Sequence, residues 1–290
     1  MKGIVLAGGK GTRLYPTTMG VSKQLLPIYD KPVIYYPISV LMMAGIKELL
    51  IISTPEDIIQ IQRLLKDGSQ FGISLEYAVQ EKPEGIPQAF TIGESFIKDQ
   101  PVALILGDNF FFGHELMPLL KKTVTEATAG ATVFGYHVDN PEAFGVIEFD
   151  SSGQPIALVE KPKDPVSHWA ATGLYFYDSH VVSMTKQLKP SVRGELEITD
   201  LNQMYLKKGQ LRAIKLGRGV AWLDTGTPDA LINASMFVQT IEKRQGLKIA
   251  CLEEIGLNQG FLDRSAIEKF NESLLSSEYG RYLKKVFERK

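Results

Sequence analysis

Apolar residues fall in short unbroken blocks separated by polar, helix-like intervals. Blocks at 3–7, 49–53, 75–79, 102–107 and 132–137 have the length and β-branched content of strands, and helical patterns fill the spaces between them. The block V-A-L-I-L at 102–106 has no polar alternation, as expected of a strand covered by helices on both faces. This alternation predicts an α/β fold with a mostly parallel sheet. From Phe144 the blocks shorten, at 146–149, 156–160 and 173–177, and a helix is expected over 195–208. They predict an inserted β/α portion that supplies a second wall. Blocks at 211–216 and 220–223 are expected to return to the sheet, and from Pro228 the chain reads as helices to its end, interrupted at 257–260. The simplest organisation is a core over 1–238 and a C-terminal helical extension over 239–290, with no linker, repeat or low-complexity tract between them.

Composition narrows the class. The 290 residues are 44% hydrophobic and 22% charged, enough for a substantial core. A net charge of -1, from 32 basic and 33 acidic residues, supplies no bulk field for nucleic acid or an anionic membrane, so neither is an expected partner. Cys251 is the only cysteine, which excludes an internal disulfide and agrees with a reducing compartment. No leader pattern or membrane-length apolar run is evident, and the cytoplasm is the expected location.

The first apolar block opens into G-G-K-G-T-R. Gly8, Gly9 and Gly11 remove the side chains that would keep an anion off the backbone, whose N–H groups then form a concave nest. Arg13 adds a permanent planar cation that matches phosphate oxygens. The dinucleotide signature G-x-G-x-x-G fails because Leu14 stands at the third glycine, and the P-loop fails because Lys10 precedes Gly11. The expected ligand is a polyphosphate.

Two carboxylates stand where apolar blocks end, Asp108 in L-G-D-N and Asp224 in W-L-D-T-G. Either alone reads as a turn or cap residue; as a pair beyond one sheet they are candidates for Mg²⁺, which prefers oxygen ligands and substrate phosphates. Lys23 and Lys161 are candidate phosphate partners, although most lysines are solvated surface residues. Glu160 is a candidate acceptor for sugar hydroxyls, and Gln80 carries an amide able to donate to and accept from a base edge. The four histidines lack metal-ligand spacing and no G-x-S-x-G elbow occurs, so zinc and serine-nucleophile chemistry are not supported.

Taken together, L-A-G-G-K-G-T-R-L, S-K-Q-L-L-P-I-Y-D-K-P, L-G-D-N, F-G-V-I-E-F-D, E-K-P-K, T-G-L-Y-F-Y-D, G-E-L-E-I-T-D and W-L-D-T-G resemble the glucose-1-phosphate thymidylyltransferases of bacterial deoxysugar synthesis. The resemblance covers nearly the whole chain, including V-Q-T-I-E-K-R-Q-G-L-K-I-A-C-L-E-E-I in the helical tail. It implies a Rossmann-like fold and a Mg²⁺-assisted displacement at the α-phosphorus of dTTP by glucose 1-phosphate, giving dTDP-glucose and pyrophosphate. It places Gly8, Gly9, Gly11, Thr12, Arg13, Gln24 and Asp108 around the triphosphate, with Gln80 and Gly85 at the base. Asn109, Phe144, Gly145, Glu160, Lys161, Thr172, Gly173 and Trp222 frame the sugar phosphate. Arg13, Lys23 and Lys161 are the implied catalytic cations, and Asp108 and Asp224 the metal ligands.

The resemblance also implies a homotetramer and a second, regulatory nucleotide site around Lys248, Cys251 and Glu254, where the bare sequence reads rather as an amphipathic subunit contact. Pro87 and Ala171 depart from the expected alanine and valine. A uridylyltransferase is the nearest alternative, because Gln80 can pair with either pyrimidine imide. A nucleotide-sugar-binding regulator without catalysis is the alternative of another class.

Overall fold

A computed structural model describes residues 1–9, 11–127, 129–270 and 272–288. Lys10 of the glycine loop and the last two positions of the expected helical tail therefore lie outside the described residues. In chain order the strands are β1 Lys2–Leu6, β2 Pro27–Ile28, β3 Lys31–Pro32, β4 Glu48–Ser53, β5 Ser74–Val79, β6 Val102–Leu106 and β7 Asn109–Gly113. They continue with β8 Ala131–His137, β9 Gly145–Phe149, β10 Pro155–Glu160, β11 Trp169–Tyr177, β12 Leu211–Lys215 and β13 Val220–Asp224. The helices are α1 Tyr35–Met43, α2 Pro55–Leu65, α3 Gln88–Ile92, α4 Glu94–Ile97, α5 Leu116–Glu126 and α6 Val181–Thr185. After them come α7 Ile198–Lys207, α8 Pro228–Gln245, α9 Leu252–Asn258, α10 Glu272–Ser276 and α11 Glu278–Glu288.

Nine strands form one sheet in the order β10-β9-β11-β6-β1-β4-β5, with β8 against β11 and β12 against β8. The pairings β5·β4, β4·β1, β1·β6 and β8·β12 are parallel, whereas β11 runs antiparallel to β6, β8 and β9. Side chains alternate between two cores. Val5, Ile51 and Ile105 face α1 and α5 on one side, with Ile38, Leu41 and Leu120. Ile4, Ile52 and Leu104 face α3, α4, α6 and α7 on the other, with Phe90, Ile97, Val181 and Leu201. Burial on both faces explains the apolar monotony of β6, whose first four residues are buried.

Three expectations change in detail. The block at 220–223 does not return to the main sheet: β13 pairs antiparallel with β7 in a separate two-stranded ribbon. The short run V-A-W-L-D cannot show its partner, because a ribbon strand and an edge strand carry the same local pattern. The helix expected from residue 195 begins at Ile198, because Gly194–Glu197 is occupied by loop contacts described below. The tail interruption falls after Asn258 rather than at 257.

Helix α8 runs unbroken across residues 238 and 239. Its Thr227 cap accepts from the Ala230 N–H at 3.2 Å, and Pro228 occupies the first turn, where no N–H is needed. It packs on the β2–β3 hairpin through Ala234 and Val238, which join Leu26, Ile28, Val33 and Tyr36 in a third apolar cluster. At the hairpin tip the buried Lys31 ammonium bonds Asp30 and lies 3.0 Å from a Glu242 carboxylate oxygen. Lys248 bonds Asp30 too, and lies 3.3 Å from Glu242. Beyond it, α11 docks through Leu283, Val286 and Phe287 against Cys251. Among the described residues no helix is long and apolar enough to cross a membrane.

Candidate active site

The carboxyl ends of β1 and β6 converge, since Gly107 N–H donates to the Leu6 carbonyl at 2.8 Å. That contact brings the glycine loop and the L-G-D-N turn together across about a hundred residues of sequence, at the strand ends where α/β sheets bind ligands. Gly8 lies against Gln80, Gly9 and Gly11 take positive φ, and the Thr18 hydroxyl donates to the Gly11 carbonyl at 2.8 Å. Thr12 and Arg13 sit in the single 3-10 turn Thr12–Leu14 with exposed side chains. A cavity of about 520 Å³, lined by Gly9, Thr18, Thr54 and Asp57 among others, opens beside the loop.

Lys23 and Gln24 follow on another 3-10 turn, Lys23–Leu25, both buried. The Gln24 side chain accepts from the Ser22 hydroxyl at 2.9 Å, and the Lys23 ammonium bonds the Asp108 carboxylate. Burial opposes ionisation of Asp108, but attraction to Lys23 and the hydrogen bonds from Lys23 and Asn109 outweigh it and hold the carboxyl below its ordinary range. Buried Asn109 completes the centre. Its amide donates to Asp108 at 2.9 Å, and its carbonyl accepts from Gly173 N–H at 3.1 Å and from the Trp222 indole at 2.7 Å.

Asp224 stands directly across from Asn109 in the β13·β7 ribbon. The next residue, Thr225, donates its N–H and hydroxyl to the Asp108 carbonyl at 3.2 and 3.0 Å. The ribbon, not the main sheet, thus brings the backbone at Asp224 and Thr225 up to that of Asp108 and Asn109. The two aspartates offer oxygen donors of the hard type that Mg²⁺ selects. Arg13 reaches this corner as well, with its guanidinium against Gly226.

Beyond the glycine loop, Gln80 is buried at the end of β5, and its Nε2 donates to Gln88 Oε1 at 2.6 Å. Gly85 has φ +112° and forms a bridge with Leu196, whose carbonyl oxygen would lie 2.0 Å from any Cβ placed there. Glycine alone fits that position. Leu196 N–H also donates to the Glu84 carbonyl at 2.8 Å, so G-E-L-E serves as a clamp on the Gly85 loop before its helix starts.

Across Asn109 from the glycine loop, Phe144 packs on Trp222 with ring centroids 5.3 Å apart, and Trp222 meets Tyr136 edge-on at 5.6 Å. Glu160 accepts from the Thr199 hydroxyl at 2.6 Å, with Arg193 3.4 Å from its other oxygen, and Gly145 lies beside it. Lys161 follows at φ +43°, held by its N–H to the Phe144 carbonyl at 3.0 Å. Thr172 lies in the irregular stretch of β11 between Ala171 and Tyr175, and its buried hydroxyl has no hydrogen-bond partner among the described residues. Arg13 and Lys161 form no ion pairs among the described residues, unlike Lys23, which leaves them available to anions.

Sequence reasoning missed the second layer: Gln88 and Glu84 behind Gln80, Thr199 and Arg193 behind Glu160, and Thr225 and Gly226 behind Asp108 and Arg13. Thr199, Thr225 and Gly226 lay inside motifs already quoted and the other three did not, but only tertiary contacts reveal what any of them holds.

These features gather a glycine loop, two carboxylates and two cations unpaired among the described residues at the strand ends of an α/β sheet, and comparison with known proteins gives the class. Residues 2–241 match the nucleotidyl transferase family, and the chain belongs to it. A glucose-1-phosphate thymidylyltransferase of Neisseria meningitidis is 56% identical over 289 residues, 100% of both chains. A Bacillus anthracis structure provisionally assigned the same activity, in complex with a sucrose, superimposes with TM-score 0.76 at 42% identity, covering 82% of this chain and 94% of that one. UDP-glucose pyrophosphorylase complexed with UDP-glucose superimposes at TM-score 0.70 with 26% identity, covering 84% and 99%.

Proposed function

We propose that the protein transfers the thymidylyl group of dTTP to glucose 1-phosphate, releasing pyrophosphate and forming dTDP-glucose. The observation that carries this reading is the Asn109 side chain, which ties the carboxylate of the nucleotide side, Asp108, to Gly173 and Trp222 on the sugar side. One rigid centre thereby fixes the distance between two bound anions.

A phosphate oxygen of glucose 1-phosphate attacks the α-phosphorus of dTTP in line, a new P–O bond forms, and the bond to the β-phosphate oxygen breaks. The task is to hold two anions together along that line, through positioning and preorganised charge. Lys161 grips the attacking phosphate. Arg13 and the glycine-loop N–H groups at Gly8, Gly9 and Gly11 receive charge that builds on the departing pyrophosphate. Lys23 keeps Asp108 ionised and oriented. Asp108 and Asp224 would hold Mg²⁺, which would supply charge to neutralise phosphate. Gln80 and Gly85 face the base, and Phe144, Gly145, Glu160, Thr172 and Trp222 surround the hexose.

The high identity to a thymidylyltransferase favours dTTP over UTP, whose imide Gln80 could equally read. The test is pyrophosphate release with glucose 1-phosphate and Mg²⁺ across dTTP, UTP, dCTP, ATP and GTP. A dTTP preference is expected, and a UTP preference would transfer the base assignment. We also propose cytoplasmic location, a homotetramer, and a second nucleotide site in the cavity of about 260 Å³ lined by Phe111, Gly113, Lys248, Cys251 and Glu254. Residues 239–290 would serve as its oligomeric or regulatory extension.

A further inference from the structure

We infer that Gln88, anchored by Glu84, fixes the direction of the Gln80 amide and so determines which nucleobase this site accepts. The inference rests on the nucleotide reading above and adds a specificity determinant behind the group that meets the base.

A glutamine amide is nearly symmetric in shape and opposite in chemistry at its two ends, so a freely turning Gln80 would offer either a donor or an acceptor at one place. Gln88 removes that freedom. Its Oε1 faces the Glu84 backbone N–H at 3.2 Å, which can only donate, and its Nε2 faces a Glu84 carboxylate oxygen at 2.9 Å, which as an anion can only accept. Both ends of the Gln88 amide are therefore assigned by partners that cannot exchange roles. Gln88 Oε1 in turn requires a donor from Gln80, and Gln80 Nε2 lies 2.6 Å from it. The Gln80 carbonyl is then directed to the other side, against Gly8 at the mouth of the phosphate loop, where a Cβ on Gly8 would lie 2.3 Å from Oε1.

Polarity thus passes from one carboxylate through two amides to the nucleotide side. An acceptor held there matches the N3–H of a pyrimidine imide. Cytosine in the same pose sets its N3 lone pair against the Gln80 carbonyl, an opposed pairing that acts against the wrong base. The relay is stable because Glu84 and Gly85 are pinned to Leu196, and because Gln88 begins α3.

The test compares kcat/KM for dTTP and dCTP in the purified full chain, with glucose 1-phosphate as co-substrate. Gln88→Leu is expected to lower the dTTP/dCTP ratio about tenfold or more, the scale of one lost buried hydrogen bond, with KM for glucose 1-phosphate and the melting temperature near wild type. Glu84→Gln, which keeps an acceptor for Gln88, should hold the ratio within about threefold, whereas Glu84→Ala, which leaves only the backbone N–H to orient Gln88, should lower it by less than Gln88→Leu does. A folded Gln88→Leu protein with the wild-type ratio overturns the inference. Should Gln88→Leu not fold, an unchanged ratio in Glu84→Ala does so. A wild-type protein that prefers dTTP while these variants keep its ratio loses the relay alone. One that shows no preference for dTTP over dCTP loses the nucleotide reading itself.

Discussion

The Arg13 guanidinium rests on the backbone of Gly226, so closely that a Cβ added at Gly226 would lie 2.6 Å from Nη2 and 3.1 Å from Cζ. The atom in the way is the far end of a flexible side chain, so Gly226→Ala should leave the fold intact and turn Arg13 aside. We expect turnover to fall about 10- to 100-fold, short of the loss of a whole charge-stabilising donor, with KM for glucose 1-phosphate changed less than threefold. Steady-state kinetics of Gly226→Ala beside Arg13→Ala check this. Normal turnover in Gly226→Ala would show that the guanidinium position is immaterial.

Asn109 makes three hydrogen bonds from one buried amide. In Asn109→Ala the Trp222 indole and Gly173 N–H lose their acceptor while still buried, at a cost of about 2–3 kcal/mol in urea unfolding. Because the same change frees Trp222 from the sugar wall, KM for glucose 1-phosphate should rise more than KM for dTTP. An equal rise in both would sink the bridging role.

Asp224→Asn keeps the shape of the ribbon and removes half of the carboxylate charge offered to Mg²⁺. The Mg²⁺ concentration for half-maximal rate should rise about tenfold or more, and chelation should abolish pyrophosphate release by the wild type. An unchanged metal titration would remove Asp224 from the ligand set.

Asp178 is one carboxylate through which acid should weaken the fold. It is buried, which alone would raise its pKa, yet it accepts from Gly130 N–H at 2.8 Å, the Tyr205 hydroxyl at 2.8 Å and His180 N–H at 3.0 Å, and the net effect lowers it. A lowered folded pKa contributes stability that is present above the ordinary value of 3.8 and is lost as pH falls through the folded value. Asp178→Asn should therefore cost about 1–3 kcal/mol at neutral pH and flatten the decline in stability below pH 4. Urea midpoints at pH 7 and pH 3 test the difference, and parallel curves for both proteins would refute it.

The glycine loop, Asp108 and the central strands were legible in sequence because their constraints are local: unbroken apolar blocks, a run of glycines, a carboxylate where a strand ends. The partnership of Asp108 with Asp224 was legible only as a pair of strand ends. The reason those ends meet is the β13·β7 ribbon, and nothing local distinguishes V-A-W-L-D as a ribbon strand. Likewise G-E-L-E reads as the start of a helix until Leu196 is seen bridging Gly85. Gln88 shows no unusual spacing at all, and its meaning lies entirely in what stands at its two ends.

The charged knot at the hairpin tip has a wider bearing. Lys31 is buried and counts on Glu242, from the far end of α8, as one of its two counterions. The other end of that hairpin begins at Gln24, whose carbonyl accepts from Ile34 N–H at 2.9 Å, one residue beyond Lys23. A chain cut after residue 238 would remove Glu242 and Lys248 together, leaving Lys31 and Asp30 as a single pair stripped of the ion partners that bracket it. The tail is therefore part of what holds the hairpin next to the loop carrying Lys23, and its removal should be felt there as well as at the chain's end.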